Sequence, residues 1–222
     1  MTLPILSYFS SRGLAEIIRL VCAEAGVAYT ERHLGVYHPV DKTPEFEAFK
    51  ATGVMPFGAV PLWEEPDGFR LAQTDAIVHH LARTHGLYGR SAHEAARCDM
   101  LFAGVNDLRL EIRKLVSVEE AKRTALREEL AARTIPRWLA YFEEIFAANG
   151  TGVAVGSDVS FPDVALFLMF ETIRDNGFGG AYDRCPRLAE HAARMSARPG
   201  IARYIASPTR FPVQLLPGTK AP

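Results

Sequence analysis

One short stretch, Met55–Asp75 (M-P-F-G-A-V-P-L-W-E-E-P-D-G-F-R-L-A-Q-T-D), carries two groups that could hold a small peptide-like ligand. Proline rarely leads into an apolar strand, because it cannot donate to a sheet ladder. The Val60-Pro61 step therefore implies a bend that presents the Val60 main chain, and a cis bond would supply it. Thr74 and Asp75 then begin a helix, with a hydroxyl and N–H groups at its N-terminus, which is a ready site for a carboxylate. Near the start of the chain, Tyr8 places a phenol at the end of an apolar run, just before S-S-R-G-L. Ser10 and Ser11 offer hydroxyls beside it. On local sequence alone, an aromatic at such a place reads first as packing.

The bulk properties remove several other chemistries. The chain has 222 residues, 48% of them apolar, and a formal net charge of −1. That balance suits a globular protein with a real core and carries no nucleic-acid footprint. No apolar run approaches the roughly 18 residues needed to cross a bilayer. Met1–Phe9 lacks a basic region followed by a long apolar one, so it does not read as a signal peptide. Cys22, Cys98 and Cys185 form no C-x-x-C pair, and the histidines show no H-x-x-x-H spacing. No metal site and no dithiol redox centre is expected, and a reducing cytoplasm fits best.

The elements that must position these residues follow from periodicity. Pro4–Phe9 reads as a buried strand, Gly13–Gly26 as a helix with Leu14, Ile17, Ile18, Val21 and Ala25 on one face, and Val27–His33 as a second strand. A strand–helix–strand unit makes the two strands parallel. Gly35–Met55 is irregular, with a short helix around Pro44–Lys50. Val60–Leu71 reads as an antiparallel hairpin and Thr74–His85 as the next helix. From Ala92 onward strand signals vanish. Helices are expected over Ala92–Val116, Glu119–Ala148, Pro162–Asn176, Pro186–Ala197 and Gly200–Ala206. Ser160-Phe161-Pro162-Asp163 reads as a capping box, with Val159 and Val164 placed as a staple. The expected architecture is an α/β thioredoxin-like N-terminal domain over residues 1–86 and an all-α helical-bundle domain over residues 87–222.

Five segments in this order resemble the cytosolic glutathione S-transferases of the tyrosine-type branches (alpha, pi, mu and sigma). They are L-S-Y-F-S-S-R-G-L-A-E-I-I-R-L at Leu6–Leu20, the V-P step, Q-T-D-A-I-V-H-H-L-A-R-T-H-G-L-Y-G, V-S-F-P-D-V-A-L-F at Val159–Phe167, and S-A-R-P-G-I-A-R-Y-I-A-S-P at Ser196–Pro208. The resemblance implies a cytoplasmic, homodimeric detoxification enzyme that uses glutathione as cosubstrate and attacks a small hydrophobic electrophile. It leaves open a glutathione-dependent peroxidase or isomerase on the same site, and a non-catalytic binding protein of the same fold.

What the resemblance implies residue by residue is specific. Tyr8 matches the hydroxyl that holds the thiolate, with Ser10 and Ser11 as competing donors. Gln73 and Thr74 match the γ-glutamyl contacts, and Asp107 an aspartate that reaches the same ammonium from the neighbouring subunit. Val60 before Pro61 matches the backbone that pairs with the cysteinyl unit. Lys50, with Lys42 second, matches a basic residue near the glycyl carboxylate. Phe57 matches an aromatic inserted into the partner subunit. Phe9 and Ser117 fall in the acceptor region, with the tail from Phe211. Two departures stand out. Leu14 occupies the place where several relatives carry an arginine beside the sulfur, and Ala59 a place that often carries a polar side chain. Arg12 matches an arginine of structural character.

Overall fold

The computed structural model describes residues 2–38 and 42–219. Residues 39–41, within the irregular segment expected over Gly35–Met55, lie outside them. The chain forms β1 (Ile5–Tyr8), α1 (Glu16–Ala25), β2 (Thr30–His33), α2 (Pro44–Ala51), β3 (Leu62–Glu64), β4 (Arg70–Ala72) and α3 (Thr74–Thr84) in turn. The strands lie in the order β2-β1-β3-β4. β1 runs parallel to β2, with Ile5 opposite Thr30 and Tyr8 opposite His33. It runs antiparallel to β3, with Leu6 opposite Trp63 and Ser7 opposite Leu62. This is the thioredoxin-like arrangement, and its parallel pair is the consequence of the helical crossover. The strands are shorter than periodicity implies, because Val27–Tyr29 and Val60–Pro61 approach the sheet without joining its ladder.

Two compact units divide the chain. The first comprises Met1–His85 together with Pro199–Gln214, and the second comprises Gly86–Arg198 with Leu215–Pro222. In the first unit α1 is the organising helix. Ile17, Ile18, Leu20, Val21 and Cys22 are all buried. Gly26 ends the helix in the left-handed conformation, φ 68°, with its N–H bonded to the Cys22 carbonyl, the role a glycine fills at least cost. Helix α9 (Pro199–Ile205), read from sequence with the C-terminal half, packs against α1. Gly200 makes that crossing possible, since a Cβ there would sit 1.9 Å from the Ala23 carbonyl oxygen.

The second unit is helical: α4 (Ala92–Ser117), α5 (Glu120–Glu129), α6 (Ile135–Asn149), α7 (Phe161–Ile173) and α8 (Pro186–Ser196). α7 is apolar on nearly every side, as a central helix must be; Phe161, Val164, Phe167, Met169 and Ile173 are all buried. The single helix expected over Glu119–Ala148 is continuous but widens into a π-type turn at Leu130–Thr134. Pro136 explains it. A proline lacks the N–H for the i→i−4 bond and crowds the carbonyl four residues back, here within the widened turn. A second wide turn, Arg174–Phe178, follows α7 and contains Gly177 at φ 82°.

The capping box at Ser160 is present in full. Asp163 Oδ2 accepts from the Ser160 N–H and hydroxyl at 2.9 Å each. Its Oδ1 accepts from the Ala154 N–H at 2.7 Å and faces His191 Nε2 at 2.9 Å. One side chain thus ties three segments of the second unit. Among the described residues no helix is long and apolar enough to cross a membrane.

Candidate active site

Tyr8 is the last residue of β1 and is 8% exposed. After Phe9 the chain turns sharply and re-enters helix through a 3₁₀ turn at Gly13–Ala15 that runs into α1. The first N–H groups of a helix lack intrahelical partners, and here the residue ahead of the turn, Arg12, supplies no side-chain cap. The Leu14 N–H donates instead to the Tyr8 hydroxyl oxygen at 2.9 Å. Gly13 permits the approach: its φ is 44°, and a Cβ on it would lie 2.5 Å from that oxygen. The positive end of a helix dipole is thereby aimed at the phenol.

The second tie runs through the same residue. The Thr74 hydroxyl donates to the Leu14 carbonyl at 3.4 Å, so Leu14 joins the phenol to the start of α3 through its backbone alone. Sequence reasoning weighed Leu14 only as a lost cation and missed this role. As expected, α3 begins at Thr74; the cap position ahead of it is Gln73, which makes no capping side-chain bond, and the Thr74 hydroxyl turns to Leu14. Gln73 is exposed and adopts φ 73°, ψ 122°. A non-glycine residue held there stores strain of order 1–3 kcal/mol, the kind of outlier that clusters at ligand clamps.

The remaining candidates in the first unit lie on neighbouring elements. The Val60–Pro61 bond is cis. Pro61 is buried and Val60 half-buried. Continuing the β1–β3 register by one step brings Pro61 beside Tyr8. Lys50 is exposed on α2, and its Cε lies 3.4 Å from where a Gly58 Cβ would be, so it overhangs the loop that leads to Val60. Lys42 instead lies 5.6 Å from the Tyr37 ring centre and 5.9 Å from that of Phe46. Phe57 is 69% exposed in the same loop. Phe9 is buried, stacked on Phe46 at 5.3 Å and edge-on to Tyr37, so most of its surface is spent on packing. Asp107 and Ser117 lie exposed on α4 in the second unit, and the Ser117 hydroxyl donates to the Lys114 carbonyl.

A buried charge cluster lies behind the Tyr8 loop, and the sequence pointed to only one of its members, Arg12. Arg19 on α1, 1% exposed, makes a two-pronged contact with Glu31 on β2, both bonds 2.9 Å. Its third nitrogen donates to the carbonyls of Ser11, at 2.8 Å, and Arg12, at 3.2 Å. Burial works against the Arg19 charge, but the hydrogen bond and field of Glu31 outweigh it and raise the pKa further. The E-x-x-R spacing of Glu16 and Arg19 was the available signal, since it places both on one side of the helix. A pocket of about 340 Å³ opens on this cluster, lined by Arg19, Tyr29, Glu31, Tyr204 and Phe211 among others. It includes none of Tyr8, Val60, Gln73 or Thr74, so the cavity and the converging site residues are separate features.

Comparison with known proteins bears directly on this arrangement. The family described as Glutathione S-transferase, N-terminal domain matches residues 14–84, and Glutathione S-transferase, C-terminal domain matches residues 106–208. The chain is 34% identical over 197 residues to a glutathione S-transferase of Plasmodium yoelii yoelii, covering 89% of this chain and 90% of that one. The chain belongs to the glutathione S-transferase family. It is also 32% identical over 207 residues to glutathione S-transferase alpha-1 of Rattus norvegicus, covering 91% and 87% of the two chains. Among solved structures it resembles a Nu-class transferase from Haemonchus contortus, with a TM-score of 0.81, 30% identity and coverage of 96% and 99%. This glutathione transferase is therefore an enzyme of glutathione conjugation, with glutathione as its substrate.

Proposed function

We propose that Tyr8 is the residue that activates glutathione, by donating its hydroxyl proton to the cosubstrate sulfur. The observation that carries this reading is the Leu14 N–H on the Tyr8 oxygen. A free thiol with a pKa of about 8.5 is only a few per cent ionised at pH 7. A donor polarised by a helix N-terminus favours the thiolate over the thiol, and hydrogen bonds to charged groups contribute about 1.5–3 kcal/mol. That corresponds to a lowering of roughly 1–2 pKa units.

The rest of the tripeptide is read onto the elements around this phenol. The γ-glutamyl end takes Gln73 and the Thr74 end of α3, where dipole and N–H groups favour a carboxylate. The cysteinyl unit pairs with the Val60 main chain ahead of Pro61. The glycyl carboxylate takes Lys50, which the Gly58 contact places over the same loop and which is favoured over Lys42 on that ground. Residues 1–86 form the glutathione-binding domain and residues 87–222 the acceptor domain; Phe9, from the first, and Ser117, from the second, are the acceptor candidates. The acceptor is a hydrophobic electrophile, attacked by the thiolate by substitution or addition. The enzyme works in the cytoplasm, in detoxification, as a homodimer in which exposed Phe57 is covered by the partner and Asp107 reaches the partner's glutathione.

The pH profile of kcat/KM for glutathione tests the central assignment. In Tyr8→Phe the acidic limb is expected to move to higher pH by about 1–2 units, with a roughly tenfold or greater loss at neutral pH. Thr74→Ala is expected to raise KM more than it lowers kcat. A Tyr8→Phe profile that overlays the wild type would remove Tyr8 from the mechanism and favour Ser10 or Ser11.

A further inference from the structure

The segment after α9 closes the charge cluster behind Tyr8. The Arg210 side chain is 5% exposed and reaches Glu16 through two nitrogens, both at 2.9 Å. Glu16, 1% exposed, also accepts from the Tyr204 hydroxyl at 2.8 Å. The other arginines stand further from it, with Arg19 at 3.5 Å and Arg12 at 3.9 Å. The next tail residue, Phe211, accepts the Arg12 Nε–H on its carbonyl at 2.8 Å. Its ring centre lies 4.9 Å from the Arg19 guanidinium carbon, which in turn lies 6.0 Å from the Tyr8 ring centre. Arg19 is thus flanked by a tail aromatic and by the site tyrosine.

We propose that Arg210 and Phe211 are positioning residues for Tyr8, setting through the Ser10–Leu14 loop how far the bound glutathione thiol ionises. The inference rests on the reading of Tyr8 given above. Its physical basis is competition for two arginines, Arg19, which is buried, and Arg12, which is half-buried. Arg19 holds the Ser11 and Arg12 carbonyls only while Glu16 is satisfied elsewhere, and Arg210 with Tyr204 satisfies it. Removing the Arg210 charge leaves a buried carboxylate that draws Arg19 and Arg12 toward it. Both moves pull on the backbone that ends in the Leu14 N–H. Phe211 acts in the same direction, since its carbonyl holds Arg12 away from Glu16 and its ring covers Arg19.

Other titratable groups face the cluster from each element packed on it. Tyr29 lies 3.5 Å from Glu31, and His33 stands edge-on to Phe211 at 5.6 Å. Tyr204 donates to Glu16, and its pKa is raised by burial and by that carboxylate. None of these lies between the cluster and the Leu14 N–H in the chain of contacts, which passes through Arg19, the Ser11 and Arg12 carbonyls, and Gly13.

The test uses the full chain, glutathione and an activated aryl chloride as acceptor. In Arg210→Met, kcat at neutral pH is expected to fall about tenfold while KM for glutathione stays within about twofold. The loss is expected to disappear at alkaline pH, where the thiol ionises unaided; one pKa unit corresponds to a factor of ten in ionised fraction below the pKa. Arg210→Lys is expected to recover most of the rate. If Arg210→Met does not fold, Phe211→Leu gives the same reading, because it keeps apolar bulk and the carbonyl; about threefold loss with the same alkaline recovery is expected. Profiles that overlay the wild type, or a loss equal at every pH, would overturn the inference while leaving Tyr8 in place. A wild type whose bound thiol ionises no more readily than free glutathione would overturn the Tyr8 reading itself.

Discussion

Asp163 at the start of α7 and Glu16 at the start of α1 are both buried acids, 0% and 1% exposed, each near the N-terminus of a central helix. They are satisfied by opposite means. Asp163 is met by two N–H groups, one hydroxyl and one histidine, three of the four donors lying within nine residues of it in the chain. Glu16 is met by arginines and a tyrosine, and its closest partners, Arg210 and Tyr204, come from the opposite end of the chain. The first arrangement is local and largely neutral, so it serves the folding of one unit. The second gathers charges across the sequence around the loop that follows Tyr8, so a change there is felt at the site. Buried charge pairs contribute little net stability compared with apolar packing, but breaking one by removing a single partner costs about 3–5 kcal/mol.

The comparison is broken most forcefully at Asp163. Asp163→Ala strips four buried groups of their acceptor, and leaving buried donors unsatisfied costs about 1–3 kcal/mol each. A non-additive total of about 5 kcal/mol is expected in chemical denaturation. Where enough protein folds, its bound thiol is expected to titrate as in the wild type. Glu16→Gln is expected to show the reverse pattern. It keeps an amide that can still accept, so a loss of about 3 kcal/mol is expected. Its bound thiol titration, however, should shift. If the two variants differ only in stability and not in that titration, the contrast between the units is wrong.

The smallest effect concerns two cysteines, one in each unit. Cys22 on α1 and Cys98 on α4 are fully buried. Burial raises both thiols. Cys22 is raised further by Glu31, whereas for Cys98, at about 11, the Ser160 hydrogen bond pulls the other way. A raised thiol favours its neutral form in the folded state. Its contribution is therefore complete below the unfolded value near 9 and is lost as pH rises from there toward 11. At pH 7.5 neither cysteine is expected to react with iodoacetamide until denaturant is added. Labelling of Cys98 in the native protein would show that the Ser160 end of the second unit opens locally.

The same contrast explains what could be read from sequence. The thioredoxin-like order, the parallel first pair, the turn at Val60-Pro61 and the capping box at Ser160 all rest on spacings of a few residues, where periodicity and turn chemistry act directly. Tyr8 at the end of a strand reads locally as packing, and only the family resemblance singled it out as a site candidate. The Leu14 bridge was not legible, because it is made by backbone atoms and a side chain says nothing about them. The wide turn at Leu130–Thr134 was missed because Pro136 was not weighed against the helical pattern. The Glu16 cluster was illegible for a different reason. Tyr204, Arg210 and Phe211 join it only because Gly200 lets α9 lie close against α1, and no local pattern announces such a contact.

The most direct test of the account is an ultraviolet titration of glutathione bound to the wild type and to Tyr8→Phe, following thiolate absorbance with pH. It reads the ionisation itself and needs no choice of acceptor. The account predicts a wild-type thiol ionising about 1–2 units below free glutathione, and a Tyr8→Phe thiol close to the free value. A bound thiol that titrates identically in both proteins would contradict it, and the Leu14–Tyr8 contact would then be no more than a helix cap.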